Sequence, residues 1–146
     1  MKCRYFLCCL LFLILLTNCA GVETKETKPS LGKYLVVDSW RLTTTLFMGD
    51  YSGKYVKTEC LFVMPANLPP GYSDTKYFAF QVKDPKNHYA TDFLTVIGPK
   101  SLSGVLLSLS PDNRITVFGR GIELTLKNMG GAKYTQLALE ADSIEK

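Results

Sequence analysis

Histidine, tryptophan and free cysteine are close to absent from this 146-residue chain, which has one His, one Trp and, beyond position 19, one Cys. A lone His88 offers no ligand spacing for zinc, which takes three or four Cys, His or acidic ligands. Cys60 and His88 lack the orienting third group that a thiol nucleophile needs. The body holds no Asp-rich loop of calcium-binding periodicity, because Asp84, Asp92 and Asp112 stand apart as turn or strand residues. Gly119-Arg120-Gly121 has too few glycines and no following helix to cradle phosphate, and predicts a bulge or sharp bend instead. Asp38, Glu59, Asp92 and Glu123 lie near strands, but glycoside hydrolysis requires two carboxyls facing one cleft, and nothing in the order of residues pairs any two. No catalytic residue, no cofactor and no metal are therefore expected, and the chain does not read as an enzyme. With no second cysteine to bridge, a hydrophobic core must hold the domain. Cys60 reads as a buried, unreactive part of that core.

Acids are missing from the first 22 residues, where Lys2 and Arg4 precede twelve unbroken apolar residues, Tyr5–Leu16. As a helix that run spans roughly 18 Å, short of the roughly 30 Å of hydrocarbon in a bilayer. A charged start and a short apolar body are the marks of an export signal. Leu16-Thr17-Asn18-Cys19 resembles the lipobox of bacterial lipoproteins, with Asn18 where Gly, Ala or Ser is usual. The resemblance implies cleavage after residue 18 and a diacylglyceryl thioether on Cys19, and it covers residues 1–20 only. Two or more acyl chains make a durable anchor where one does not. Ala20 in place of Asp implies passage to the outer membrane, with the periplasmic side favoured over the cell surface.

Removing Lys2 and Arg4 lowers the basic count from 17 to 15 against 13 acids, a net of +2. So small a balance, scattered along the chain without a basic cluster, predicts no nucleic-acid partner. Residues 19–32 are polar, mixed in charge and broken by Pro29, and read as a lipidated cysteine and flexible tether.

From residue 33 the signal is strand and turn. The segments 33–48, 54–64, 77–82, 88–97, 105–109, 114–118, 122–126 and 133–140 are β-branched, aromatic or alternating, and turn-forming residues separate them. No helical period long enough for a crossover helix is present, which excludes a parallel βαβ sheet. The expectation is all-β: an antiparallel β-sandwich of seven to eight short strands over 33–140, with a small β-barrel as the alternative. Residues 141–146 read as a frayed tail. Trp40, alone in a β-rich run, reads as a core residue.

One loop offers rigid apolar groups. Asn67-Leu68-Pro69-Pro70-Gly71-Tyr72 is stiff, and Leu68, Pro69, Pro70 and Tyr72 are candidate partner-binding residues. The competing reading is that Leu68 and Tyr72 close one end of the domain. Location, size and the absence of chemistry together predict a lipid-anchored envelope protein that binds a partner protein, as an accessory, pilotin-like or scaffold subunit of a secretion or other trans-envelope complex. Two alternatives are a lipoprotein binding a small ligand (sugar, lipid or peptide), and an inhibitor or surface-exclusion lipoprotein. A ligand cavity would be lined by Tyr55, Phe78, Phe80 or Phe118.

Overall fold

A computed structural model describes residues 30–86 and 92–146. The expected export signal, most of the expected tether, Cys19 and His88 lie outside the described residues. Six strands carry the fold: β1 Leu35–Val36, β2 Tyr55–Ala66, β3 Tyr77–Lys83, β4 Leu94–Pro99, β5 Arg114–Lys127 and β6 Lys133–Glu145. Three short helices join them, α1 Ser39–Thr43, α2 Met48–Tyr51 and α3 Ser103–Leu106.

The strands close on themselves. Their order is β1-β2-β3-β4-β6-β5, and β5 also pairs with β2, so β2, β3, β4, β6 and β5 form a five-stranded barrel with β1 added outside it. All barrel pairings are antiparallel except β4 with β6, which is parallel. The all-β expectation holds, and the architecture is the small barrel rather than the seven-to-eight-strand sandwich. Closure depends on β2 having two partners in turn. Tyr55 to Leu61 pair with β5, Leu61 to Ala66 pair with β3, and a register shift between Phe62 and Met64 accompanies the change. A bulge bends a strand and raises its twist, which lets one strand turn the corner of a barrel.

Alternation decides what fills the barrel. Val56, Cys60 and Phe62 on β2, Phe78, Phe80 and Val82 on β3, Leu94 and Val96 on β4, Ile115 and Val117 on β5, and Leu137 and Leu139 on β6 form one buried cluster. Leu42, Phe47 and Met48 from the segment before β2, and Leu102, Val105, Leu106 and Leu109 from the segment between β4 and β5, pack against it. The opposite faces of β3, β4, β5 and β6 supply a smaller cluster of Ala79, Ile97, Leu124 and Ala138, covered by Leu68 and Tyr72.

Four expected elements differ. Within 33–48 only Leu35–Val36 is strand, and α1 follows because Asp84 holds its start: the buried carboxylate accepts hydrogen bonds from Ser39 Oγ (2.8 Å) and Trp40 N (2.9 Å). The segment 105–109 contributes to α3 and a turn, with Val105, Leu106 and Leu109 packed against the core and Leu107 exposed. Segments 114–118 and 122–126 are one strand, β5, which passes through Gly119 and Gly121 with the expected bulge, a register shift at Phe118/Gly119. A Cβ on Gly121 would fall on the carbonyl oxygen of Tyr51, so only glycine fits there. The tail does not fray. β6 runs to Glu145, and Ala141 and Ile144 are buried. The last tether residues are also ordered, since Leu31–Lys33 form a 3-10 turn closed by Lys33 N donating to Ser30 O (2.8 Å).

Candidate functional site

A groove of about 910 Å³ opens on the outer face of the barrel. The end of β2 and the loop after it form one wall, with Met64, Pro65, Ala66, Asn67, Leu68, Pro69 and Pro70. Leu124 and Leu126 of β5, with Tyr134, Thr135 and Gln136 of β6, form the other. Gln81 of β3 and Thr95 of β4 lie between them, and Thr43, Asp92 and Phe93 line it as well.

Register produces this surface. Met64 is opposite Gln81 and Gln81 is opposite Thr95, so three residues far apart in sequence stand in a row across β2, β3 and β4. Gln136, paired with Leu124 across β5 and β6, extends the row by donating from Nε2 to Thr95 Oγ1 (3.4 Å). These positions alternate with the core-facing Phe80, Val82, Leu94, Val96 and Leu137, so the side chains that fill the barrel force their neighbours outward. Met64, Phe93 and Tyr134 are among the exposed large apolar residues of the domain. Among the described residues Asp92 is the sole acidic or basic side chain of the lining. The rest are hydroxyls, amides, prolines and apolar groups. Such a wall offers hydrogen bonds and nonpolar surface in alternation, with little charge to orient an ion.

Of the loop residues singled out from the sequence, Leu68, Pro69 and Pro70 line the groove. Tyr72 does not. Its ring stands edge-on to Tyr77 with centroids 5.1 Å apart, beside the outer apolar cluster, and burial first, then the charge of Glu140, raises its pKa. Leu68 serves twice, as a lining residue and as a cover for the outer cluster. The cavity foreseen around Tyr55, Phe78, Phe80 and Phe118 is not the groove. Phe78 and Phe80 fill the core, and Tyr55 borders a smaller cleft of about 270 Å³ with Tyr77, Pro99, Arg120, Glu140, Ala141 and Asp142. Gln81, Thr95, Leu124 and Gln136 escaped the sequence reading. The one available signal was polarity at the non-core positions of otherwise apolar strands.

The remaining candidates are dispersed. Cys60 is fully buried, and its thiol pKa is driven up by desolvation, then by the charges of Glu59 and Asp84, so it stays protonated and a poor nucleophile. Glu59 pairs with Arg114 on the surface, Asp38 pairs with Lys86 (3.3 Å), and Glu123 is exposed. Among the described residues Asp92 is the single carboxylate in the groove, and Asp38, Glu59 and Glu123 do not line it with Asp92 as a glycoside-hydrolysing pair would. Among the described residues no three His, Cys, Asp or Glu side chains cluster as a metal site. No helix of the described residues is long and apolar enough to cross a membrane.

No family model matches the chain, and no curated protein does. Among solved structures, the mitochondrial single-stranded DNA-binding protein Rim1 of S. cerevisiae is similar with a TM-score of 0.41 and 14% identity, over 63% of this chain and 94% of that one. The exclusion of nucleic acid drawn from charge is corrected here. A small and scattered positive charge does not by itself remove nucleic acid from the partner classes.

Proposed function

We propose that this protein is a ligand-binding lipoprotein of the bacterial envelope, whose groove takes an uncharged oligosaccharide. Lipid on Cys19 holds it to the outer membrane on the periplasmic side, and the barrel presents the groove to envelope polymers. The observation that carries the reading is the groove's lining. Amide and hydroxyl groups from Asn67, Gln81, Thr95, Thr135 and Gln136 alternate with Phe93, Tyr134, Leu124 and Leu126, and Asp92 is the only acidic or basic lining side chain among the described residues. Sugars present alternating hydroxyl edges and apolar ring faces, and a mostly apolar wall with a few placed polar groups fixes such ligands.

Topology supports the same reading. A barrel whose first three strands meander, whose third and fifth run parallel and whose fourth closes onto the first has the Greek-key layout of oligonucleotide/oligosaccharide-binding barrels. In that layout the second and third strands and the loops after the first and fourth form the binding face. Here those are β3, β4, the loop containing Leu68–Pro70 and the turn between β5 and β6; Gln81, Thr95 and Leu68–Pro70 of the first three line the groove, and Leu126 and Tyr134 line it on the strands that lead into and out of the turn. The reading involves no catalysis. It takes the small-ligand alternative over a secretion-complex subunit, because the groove is a formed concave site.

Methyl NMR on the full-length protein in detergent tests it. Neutral oligosaccharides, extended uncharged peptides and single-stranded oligonucleotides are titrated in turn. The expected result is saturable movement of the Met64, Leu124 and Leu126 methyl signals with an oligosaccharide, while Leu107, exposed outside the groove lining and outside that binding face, stays still. Movement with the oligonucleotide alone, weakening steeply with salt, overturns the reading in favour of a phosphate-backbone ligand. Movement with the peptides alone assigns the groove to a protein segment.

A further inference from the structure

Exposed apolar side chains are unevenly distributed. Among the described residues nine large ones are exposed, and Met64, Phe93 and Tyr134 belong to the groove. Leu107 and Met129 stand singly. The other four crowd into one segment: Leu35 (49% exposed), Val36 (78%), Trp40 (40%) and Leu46 (85%). This segment packs its other side chains inward, with Val37, Ser39 and Leu42 buried. Its polar character is cationic. Lys33 and Arg41 are exposed, and Asp38 is neutralised by Lys86 (3.3 Å).

The aromatic part is built rather than loose. The Trp40 and Phe47 rings meet edge-on at 5.7 Å, and the Arg41 guanidinium lies over both, 5.3 Å from the first centroid and 5.7 Å from the second. Asp84 fixes the Trp40 backbone (2.9 Å). Tryptophan, leucine and valine beside lysine and arginine are the composition that settles at the boundary between lipid headgroups and acyl chains. The segment is also the first one after the chain that carries the lipobox-like cysteine, since only residues 20–29 separate Cys19 from Ser30. Fully extended, they reach roughly 35 Å.

We infer that Leu35, Val36, Trp40 and Leu46, with Lys33 and Arg41, form a second membrane contact that rests the barrel on the surface of an anionic bilayer. The inference rests on the proposed membrane anchoring at Cys19. Docking here would fix the barrel's orientation, where the tether alone would let it turn freely.

Trp40 is the only tryptophan, so its emission reports this contact without labelling. The full chain, extracted from a bacterial host, is reconstituted into phosphatidylglycerol–phosphatidylethanolamine vesicles with plain or brominated acyl chains. Burial about 5–10 Å into the interface predicts a blue shift and the loss of about half the emission with brominated lipid. The double variant Val36→Asp, Leu46→Asp should recover most of that emission with its fold intact by circular dichroism. Acylated protein whose Trp40 is unquenched overturns the inference and leaves the anchor standing. Shielding of Trp40 from iodide without bromine quenching also overturns it, because a protein surface then covers the patch. The mass of the Cys19 peptide from the same sample reads the anchor separately: an unmodified thiol with quenched Trp40 removes the anchor and keeps the contact.

Discussion

The two faces of β3 and β4 are made by neighbouring residues and behave as different materials. Inward, Phe78, Phe80, Val82, Leu94 and Val96 meet partners from every strand of the barrel. Outward, Ala79, Gln81, Thr95 and Ile97 give a thin apolar cluster that grades into the groove. Volume governs the inner face, where each side chain must fill a closed shape. The outer face differs in carrying polar side chains, Gln81 and Thr95, that line the groove. A one-residue slip in register would exchange the two, so the bulged β2 and the closed barrel protect the groove as much as the core.

A pair of substitutions at adjacent positions tests this division most severely. Phe80→Ala removes a fully buried ring from the inner cluster and should cost about 3–5 kcal/mol in denaturant unfolding. Gln81→Ala, one residue along, should change stability by less than about 0.5 kcal/mol while weakening ligand binding in the groove. Equal losses of stability from the two would mean that the outer face is part of the core.

Asp84 is the inner region's buried acid, and the path of the chain surrounds it with donors. It accepts from Ser39 Oγ (2.8 Å), Trp40 N (2.9 Å) and Lys86 N (2.7 Å), tying α1 to the end of β3. Asp84→Ala leaves two backbone donors and a hydroxyl without that acceptor, and should cost about 2 kcal/mol. Trp40 emission should shift to the red as α1 loosens. Thr58 makes the opposite case. Its Oγ1 is buried on the inner face with no hydrogen-bond partner among the described residues. Thr58→Val should therefore stabilise the protein by about 1 kcal/mol, read as a higher denaturant midpoint at unchanged slope.

The inner face is legible in the sequence because it repeats every second residue. Val56, Cys60 and Phe62, or Phe78, Phe80 and Val82, announce a strand and its buried side by their spacing alone. Residues 39–43 fall inside a run that reads as strand, yet the bonds to Asp84, 45 residues from Ser39, start a helix at Ser39. Local propensity yields to a buried partner that the local sequence cannot display. Gly119 and Gly121 read as a bulge or sharp bend between two strand segments, and they admit the backbones of Glu140 and Tyr51 against one continuous strand that carries the bulge. The groove is half visible for a related reason. Leu68, Pro69 and Pro70 are consecutive and stand out together. Gln81, Thr95 and Gln136 meet only through strand register, which is a property of the closed barrel.

The smallest expected effect lies where β1 covers the barrel from outside. Tyr34 donates its hydroxyl to Asp142 Oδ2 (3.0 Å) and stands edge-on to Phe118 with centroids 5.4 Å apart. Desolvation first, then the hydrogen bond and the charge of Asp142, push its pKa from 10.0 up to about 12. In the unfolded chain the phenol ionises near its ordinary value, while the folded chain keeps the proton. At pH above that value the folded state therefore binds more protons than the unfolded one, and stability falls as pH rises. The contribution is complete below about pH 10 and is lost progressively as pH climbs to about 12. Urea midpoints measured across this window should decline, and Tyr34→Phe should flatten the decline while lowering stability slightly at neutral pH. If the slope is unchanged in Tyr34→Phe, the contact of β1 with the barrel contributes nothing through this hydroxyl. The outer layer would then be held by its aromatic edges alone, the nonpolar filling that distinguishes the inner face.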